Sequence, residues 1–438
     1  MDQSASAEYC IPGDTSHCAP PVARWDFEEG QGSAAQDTSG NGNDGTLINS
    51  PDWMTGKIGK AMSFNGSNNY IDFNNASVIN PNQGTVQAWI KANNWDSNRM
   101  TVFSSEVGPA WTNLRTVLFS NSNNSLTFSV ANGTSSTTDS VNTGTILDSN
   151  TWYHVTGTYD GSSVKIYVNG SEKSSFSTSI VPGSFTPTKT MLGWHYSDRY
   201  WNGSIDNVRI YDYARTPAQI AWDYNRGAPI GHWKFDECQG TTAHDASGND
   251  NHGTINIGGS GSQTSAGTCT SGNSAHAWNN GREGRINSAM SFDGVDDLVN
   301  INTTKIAIGN DMTISSWIKT TNASQRPILS NRYTGGGRLY YGISSGKGFI
   351  YYNSASPPNL TTIANINDNT WQHFVFVRSG TTSTLYVNGV LDNSTTQTGY
   401  VSHNSDITIG FDTPNNQYYP GLIDDVRIYN YALTPLQI

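Results

Sequence analysis

The chain has 438 residues, enough for two or three domains with a core in each. Only 13% of residues are charged, the formal net charge is −11 and the pI is about 5.2. A nucleic-acid binder needs a basic face, a disordered chain a high charge and a membrane span a long apolar run, and the sequence offers none of these.

Asn, Ser, Thr and Gly dominate the polar positions while Lys and Glu are scarce, as on extracellular β-proteins. Residues 1–21 form an N-terminal segment in which polar "DQSASAEY" follows Met1 and no signal peptide is read. This suggests a mature or trimmed form, with export inferred. Cys10 and Cys18 lie close together in this segment, and Cys238 and Cys269 bracket a stretch rich in Asn, Gly and Ser. Neither pair has C-x-x-C spacing, so two local disulfides, Cys10–Cys18 and Cys238–Cys269, are expected in an oxidising compartment.

The next stretch, "DTSGNGNDG" from Asp37 to Gly45, admits two readings. Gly40, Gly42 and Gly45 fit the G-x-G-x-x-G dinucleotide fingerprint, but Pro51 follows closely and no helix can begin there. Asp37, Ser39, Asn41 and Asn43 instead place oxygen-bearing side chains on alternate residues, as a calcium loop does. Such a loop needs a carboxylate from elsewhere, and Glu28 and Asp206 are the candidates. The alternative is that Asp and Asn cap a turn through their own backbone. The expectation is calcium.

Beyond the loop, "GTVQAWIKA" and "NVRIYDY" alternate apolar and polar residues as strands do. "VKIYVNG" runs into an Asn-Gly hairpin turn. His154 in "W-x-H" reads as a hydrogen-bonded structural histidine. Trp194, Tyr196, Tyr200 and Trp201 crowd a loop-like segment, "GWHYSDRYWNG". Flat rings ringed by polar groups suit pyranose rings, so these four are expected to contact glycan, although packing of the sheets would also use them. "TPAQIAWDYN", with Thr216 as N-cap, is the one predicted helix.

After Asp223–Pro229 the whole order repeats. "RWDFEEGQGSAAQDTSGNGNDGT" returns as "HWKFDECQGTTAHDASGNDNHGT", "AMSFNGSNNYIDF" as "AMSFDGVDDLVNI", and "GSIDNVRIYDYARTPAQI" as "GLIDDVRIYNYALTPLQI". The chain is a tandem duplication: domains at 22–224 and 230–438, joined by a linker at 225–229. Trp25 and Trp233 are 208 apart, Trp89 and Trp317 228, and Asp206 and Asp424 218. The second copy has therefore gained about twenty residues near Cys269, a change that surface loops tolerate. Its calcium candidates are Asp245, Asn249, Asn251, Asp236 and Asp424, with Asp250 at the turning position. Its ring candidates are Tyr418 and Tyr419, and His373 matches His154.

Many short strands with turns between them predict an all-β chain of two tandem antiparallel β-sandwich domains of jelly-roll type. The succession W-x-F-[DE]-E, D-x-S-G-N, AMSF-x-G, W-I-K, W-x-H, Y-V-N-G and G-x-I-D-[ND]-V-R-I-Y resembles the LamG-like jelly-roll domains of the concanavalin A-like lectin/glucanase superfamily. The resemblance implies two-sheet jelly rolls with adjoining chain ends, often a calcium near the first and last strands, and carbohydrate-binding or adhesive roles. No E-x-D-x-x-E strand is present, "GISSG" at Gly342–Gly346 lacks a strand-to-helix setting, and no H-E-x-x-H occurs, so no enzyme is expected. The sequence thus points to a secreted or cell-surface protein that binds glycan or surface polysaccharide and carries structural calcium. The alternative is a self-associating subunit of a surface layer or filament.

Overall fold

The computed structural model describes residues 9–11, 16–73, 83–95, 100–106, 114–131, 138–144, 147–178, 189–195, 199–301, 306, 311–331, 338–352, 360–396 and 406–438. Two compact units emerge, one built mainly from Thr15–Tyr224 and the other from Asn225–Ile438. Each is an antiparallel jelly roll of two sheets.

In the first unit one sheet runs Ser171–Ser177, Ser163–Val168, Tyr153–Tyr159, Gly84–Ala92, Asn202–Tyr211, Lys60–Asn65 and Asp52–Thr55, with Ala23–Trp25 also paired to Asn202–Tyr211. The other runs Thr138–Asn142, Leu126–Ala131, Leu114–Ser120, Thr101–Glu106, Lys189–Leu192, Tyr70–Asp72, Gly45–Ile48 and Ala34–Ala35. The second unit repeats both sheets except for the strand Asp52–Thr55, which has no counterpart among its described residues, and its first strand Gly231–Trp233 again pairs with its last, Pro420–Tyr429.

Local chemistry explains the main features. The Asn-Gly pairs at 169–170 and 388–389 adopt positive φ at both residues, the geometry that joins twisted strands by a two-residue turn. Thr216 accepts a hydrogen bond from the Gln219 N–H while the Gln219 side chain accepts one from the Thr216 N–H, a reciprocal cap on helix Pro217–Asn225. Inward residues fill the space between the sheets: Phe64, Phe128, Val155, Ile166, Ile205 and Ile210 are buried in the first unit. A Cβ on Gly157 would meet the Phe128 ring at 2.2 Å, so only glycine lets that ring cross from the facing sheet. Both expected disulfides are formed, Cys10–Cys18 and Cys238–Cys269.

Candidate functional site

The Asp37 loop is organised by its own hydrogen bonds. Asp37 Oδ1 accepts from the N–H of Arg24 and Ser39, and Oδ2 from the N–H and side-chain amide of Asn43. These bonds outweigh burial and hold its carboxyl below the usual carboxylate range. The amides of Asn41 and Asn43 donate to the Val22 carbonyl. In the second unit Asp245 serves His232, Ser247 and Asn251 in the same way, and Asn249 and Asn251 donate to Ile230. The loop in turn accepts the indole N–H of the first-strand tryptophan, Trp25 to the Asn43 carbonyl and Trp233 to the Asn251 carbonyl, each at 2.9 Å. As placed here, Asp37, Asn41, Asn43, Asp245, Asn249 and Asn251 act as turn caps that fasten the first strand, because N–H donors take up both oxygens of each aspartate.

The outside carboxylates lie in a different setting. Asp206 sits in the last strand just before a register irregularity, where Asn207 takes φ 46°. It is fully buried, its Oδ2 accepts from the Ile58 N–H at 2.9 Å, and its Oδ1 has no hydrogen-bond partner. Both oxygens of Glu28 face the Lys60 N–H of the same turn, at 3.2–3.3 Å. The turn packs tightly, for a Cβ on Gly56 would come within 2.5 Å of Asp206 Oδ2. Burial, reinforced by the charge of Glu28, pushes the Asp206 carboxyl up to about 7 against the pull of backbone N–H groups.

The second unit repeats this arrangement atom for atom in its logic. Asp424 Oδ2 accepts from Arg285 and Ile286, its Oδ1 is buried without a partner, and Asp236 accepts from Asn287 and Ser288. Burial, with Asp425 and Asp236 adding to it, again raises Asp424 to about 7. A buried carboxylate oxygen without a donor, beside a second carboxylate, is a donor set suited to a hard cation. The turns themselves, "GKIGK" and "GRINS", went unread in the sequence, although they precede "AMSF" in both copies.

The ring candidates divide. Trp194 and Tyr200 are partly exposed and lie 5.9 Å apart with planes 20° from parallel. Tyr70, on a neighbouring strand and overlooked in the sequence, completes the group at 4.7 Å from Trp194. The Lys189 ammonium stands 5.8 Å from the Trp194 ring. Glu106, the last residue of Thr101–Glu106, and His195, which follows the Lys189–Leu192 strand, form a buried pair at 3.2 Å. Tyr196 lies outside the described residues.

Trp201 and Tyr419 are corrected. Both are fully buried, Trp201 within the core of the first unit and edge-on to Trp95 at 6.1 Å, Tyr419 edge-on to Phe292 at 6.4 Å. Successive residues of an extended chain point to opposite sides, so each follows an outward tyrosine by turning inward. In the second unit Tyr418 is partly exposed and stacks on Phe411 at 4.5 Å, while Arg338, ion-paired with Asp412, lies 5.8 Å from the Tyr351 ring. The two surfaces thus share rings but differ in charge.

His154 and His373 each pack on the tryptophan of the neighbouring strand, Trp89 at 5.3 Å and Trp317 at 4.9 Å. Burial, then Arg209 and Arg215, lowers His154 to about 3; burial and Arg427, against Asp425, lower His373 to about 4.

No curated protein matches the chain. Among solved structures it is similar to domain 4 of AbnA, a GH43 extracellular arabinanase from Geobacillus stearothermophilus, in complex with arabinotriose, at 25% identity over 46% of this chain and 97% of that one, TM-score 0.39. It is also similar to mouse laminin alpha1 chain domains LG4-5, at 13% identity over 98% and 95%, TM-score 0.26. A sequence profile of the laminin G type, described as concanavalin A-like lectin/glucanases superfamily, matches residues 65–221 and 293–438, one stretch in each unit. With both halves matched and both folded as jelly rolls, the chain belongs to the concanavalin A-like lectin/glucanases superfamily.

Proposed function

We propose that the protein is a non-catalytic glycan-binding protein of the cell exterior, with calcium as a structural ion in each domain. The observation that carries this reading is the group of Tyr70, Trp194 and Tyr200, three partly exposed rings on one unit with Lys189 beside them. Sugars offer apolar ring faces and hydroxyls together, which such a surface matches. The superfamily includes lectins, in line with it. Glycoside hydrolysis uses two carboxylates across a cleft, whereas Glu106 is buried against His195. Two disulfides fit an oxidising exterior.

Glu28 with Asp206, and Asp236 with Asp424, would hold the calcium ions. When bound, calcium supplies the positive charge that these buried carboxylates lack. Glu28 and Asp206 then stay ionised and clamp the Gly56–Lys60 turn to the last strand, which runs on from the ring-bearing segment.

A second reading, self-association, draws on the edge strands of the second unit. Ile363, Val390 and Leu391 are 68%, 68% and 57% exposed there, large apolar side chains facing solvent on the two edges. A glycan array followed by calorimetry with Trp194→Ala, beside sedimentation velocity, tests both readings. Glycan binding by a monomer that the substitution abolishes supports the proposal. A sugar-blind protein that polymerises with concentration refutes it.

A further inference from the structure

The turn joining Met290–Asp293 to Leu298–Ile301 differs between the units in a way its shape does not require. In the first unit it carries Asn65, Asn68 and Asn69; in the second the matching residues are Asp293, Asp296 and Asp297. The structural task is the same in both. Asn69 Oδ1 accepts from the Asn65 N–H at 2.9 Å, and Asp297 Oδ2 accepts from the Asp293 N–H at 2.9 Å. One oxygen performs it, and a neutral amide suffices.

The three aspartates place a carboxylate oxygen each within 4.8 Å of one another. Asp297 is fully buried, and its second oxygen, Oδ1, has no hydrogen-bond partner; nor has the buried Oδ1 of Asp296. Burying an unpaired carboxylate oxygen costs kcal/mol that the asparagine version avoids, and three negative charges so close repel. Burial and the charges of Asp293 and Asp296 push Asp297 up to about 6.

The second difference lies around the cluster. The insertion that only the second unit carries, closed by Cys238–Cys269, is hydrogen-bonded onto these carboxylates. The Ser260 N–H donates to Asp296 Oδ2 at 2.8 Å, and the N–H groups of Ser262 and Gln263 donate to Asp293 Oδ2 at 2.8 and 3.1 Å. A Cβ on Gly258 would meet the Asp296 carboxyl at 1.9 Å, so the insertion lies directly against it. The backbone thereby occupies both oxygens of Asp293, whose Oδ1 accepts from the Val295 N–H at 2.9 Å, and leaves Oδ1 of Asp296 and Oδ1 of Asp297 without a hydrogen bond.

We propose that Asp293, Asp296 and Asp297 form a cation site specific to the second domain, which takes a hard divalent ion of the calcium class and fastens the insertion to the turn. Oxygen is the only donor type present, which disfavours zinc and copper. The site is separate from the Asp236 and Asp424 pair, which faces the Gly284–Ser288 turn.

The test counts ions on the full chain. After chelation and addition of calcium chloride, native mass spectrometry is compared for the parent, for D293N/D296N/D297N, which installs the asparagine triad the first unit already folds with, and for D424N. The triple variant should bind one calcium fewer than the parent, and calcium should slow hydrogen exchange across Ser260–Gln263 in the parent but not in the variant. D424N should keep that exchange effect, so failure of the Asp424 site and failure of this one read out separately. D296N alone, at a partly exposed position, serves should the triple variant not fold. Equal ion counts in parent and variants, or no calcium effect on Ser260–Gln263 in the parent, overturn the proposal.

Discussion

Replacing Trp201 by alanine distinguishes a core ring from a binding ring. The side chain is fully buried in the cluster that includes Phe64, Phe103 and Ile205. Its indole N–H has no hydrogen-bond partner, so the loss on truncation is one of packing. A buried tryptophan removes roughly 150–250 Å² from water, which at about 25 cal/mol/Å² is about 4–6 kcal/mol. Measured truncations of buried aromatics fall at roughly 3–5 kcal/mol because the site partly collapses. For a domain of some 200 residues each kcal/mol moves the midpoint by about 2–4 °C, so the first domain should melt about 6–20 °C lower. Differential scanning calorimetry reads this directly, since only one of the two domains carries the change. Glycan affinity, measured well below the new midpoint, should hold. A variant that melts within about 2 °C of the parent while losing glycan would refute the packing argument and return Trp201 to the surface.

Chelation should lower the melting temperature of both domains and added calcium should restore it, since an ion that binds only the native state stabilises it by mass action; unchanged curves with no metal in the purified protein would remove the calcium proposal, and D206N should blunt the response in the first domain only. His154 binds its proton at about pH 3 when folded, against 6.5 ordinarily, so the unfolded chain takes up the proton first as pH falls. Its contribution is fully present above pH 6.5 and shrinks below it, by about 2 kcal/mol between pH 6.5 and 5. Urea titrations at those two pH values should show this loss in the parent and a smaller one in His154→Asn; equal losses would show that the histidine is not the group responsible.

The fold was legible because most strands and turns are written twice and the turns carry unambiguous chemistry, as Asn169-Gly170 and Asn388-Gly389 show. The site was only partly so. Alternating Asp, Ser and Asn oxygens serve a turn's N–H groups as well as they serve calcium, and sequence alone could not separate the two uses at Asp37. The Gly56–Lys60 turn acts through backbone N–H groups, which no side-chain pattern reveals. Tyr70 belongs to the ring surface through strand pairing, from more than a hundred residues away in the chain. Trp201 is separable from the surface rings in the sequence, because strict alternation sends Tyr200 and Trp201 to opposite sides.

The pairing of the first strand with the last has a mechanical consequence. Ala23 lies opposite Ile210 and Trp25 opposite Val208, so the incoming and outgoing chain meet at one end of an antiparallel pair. Tension applied through the two ends of the domain would load these hydrogen bonds one after another, like a zip, and not all together as a shear clamp does. Such a module would give way at its seam under modest pull, with the first strand peeling off before the sheets separate. On the outside of a cell, a domain held this way would lengthen under traction and act as a compliant tether.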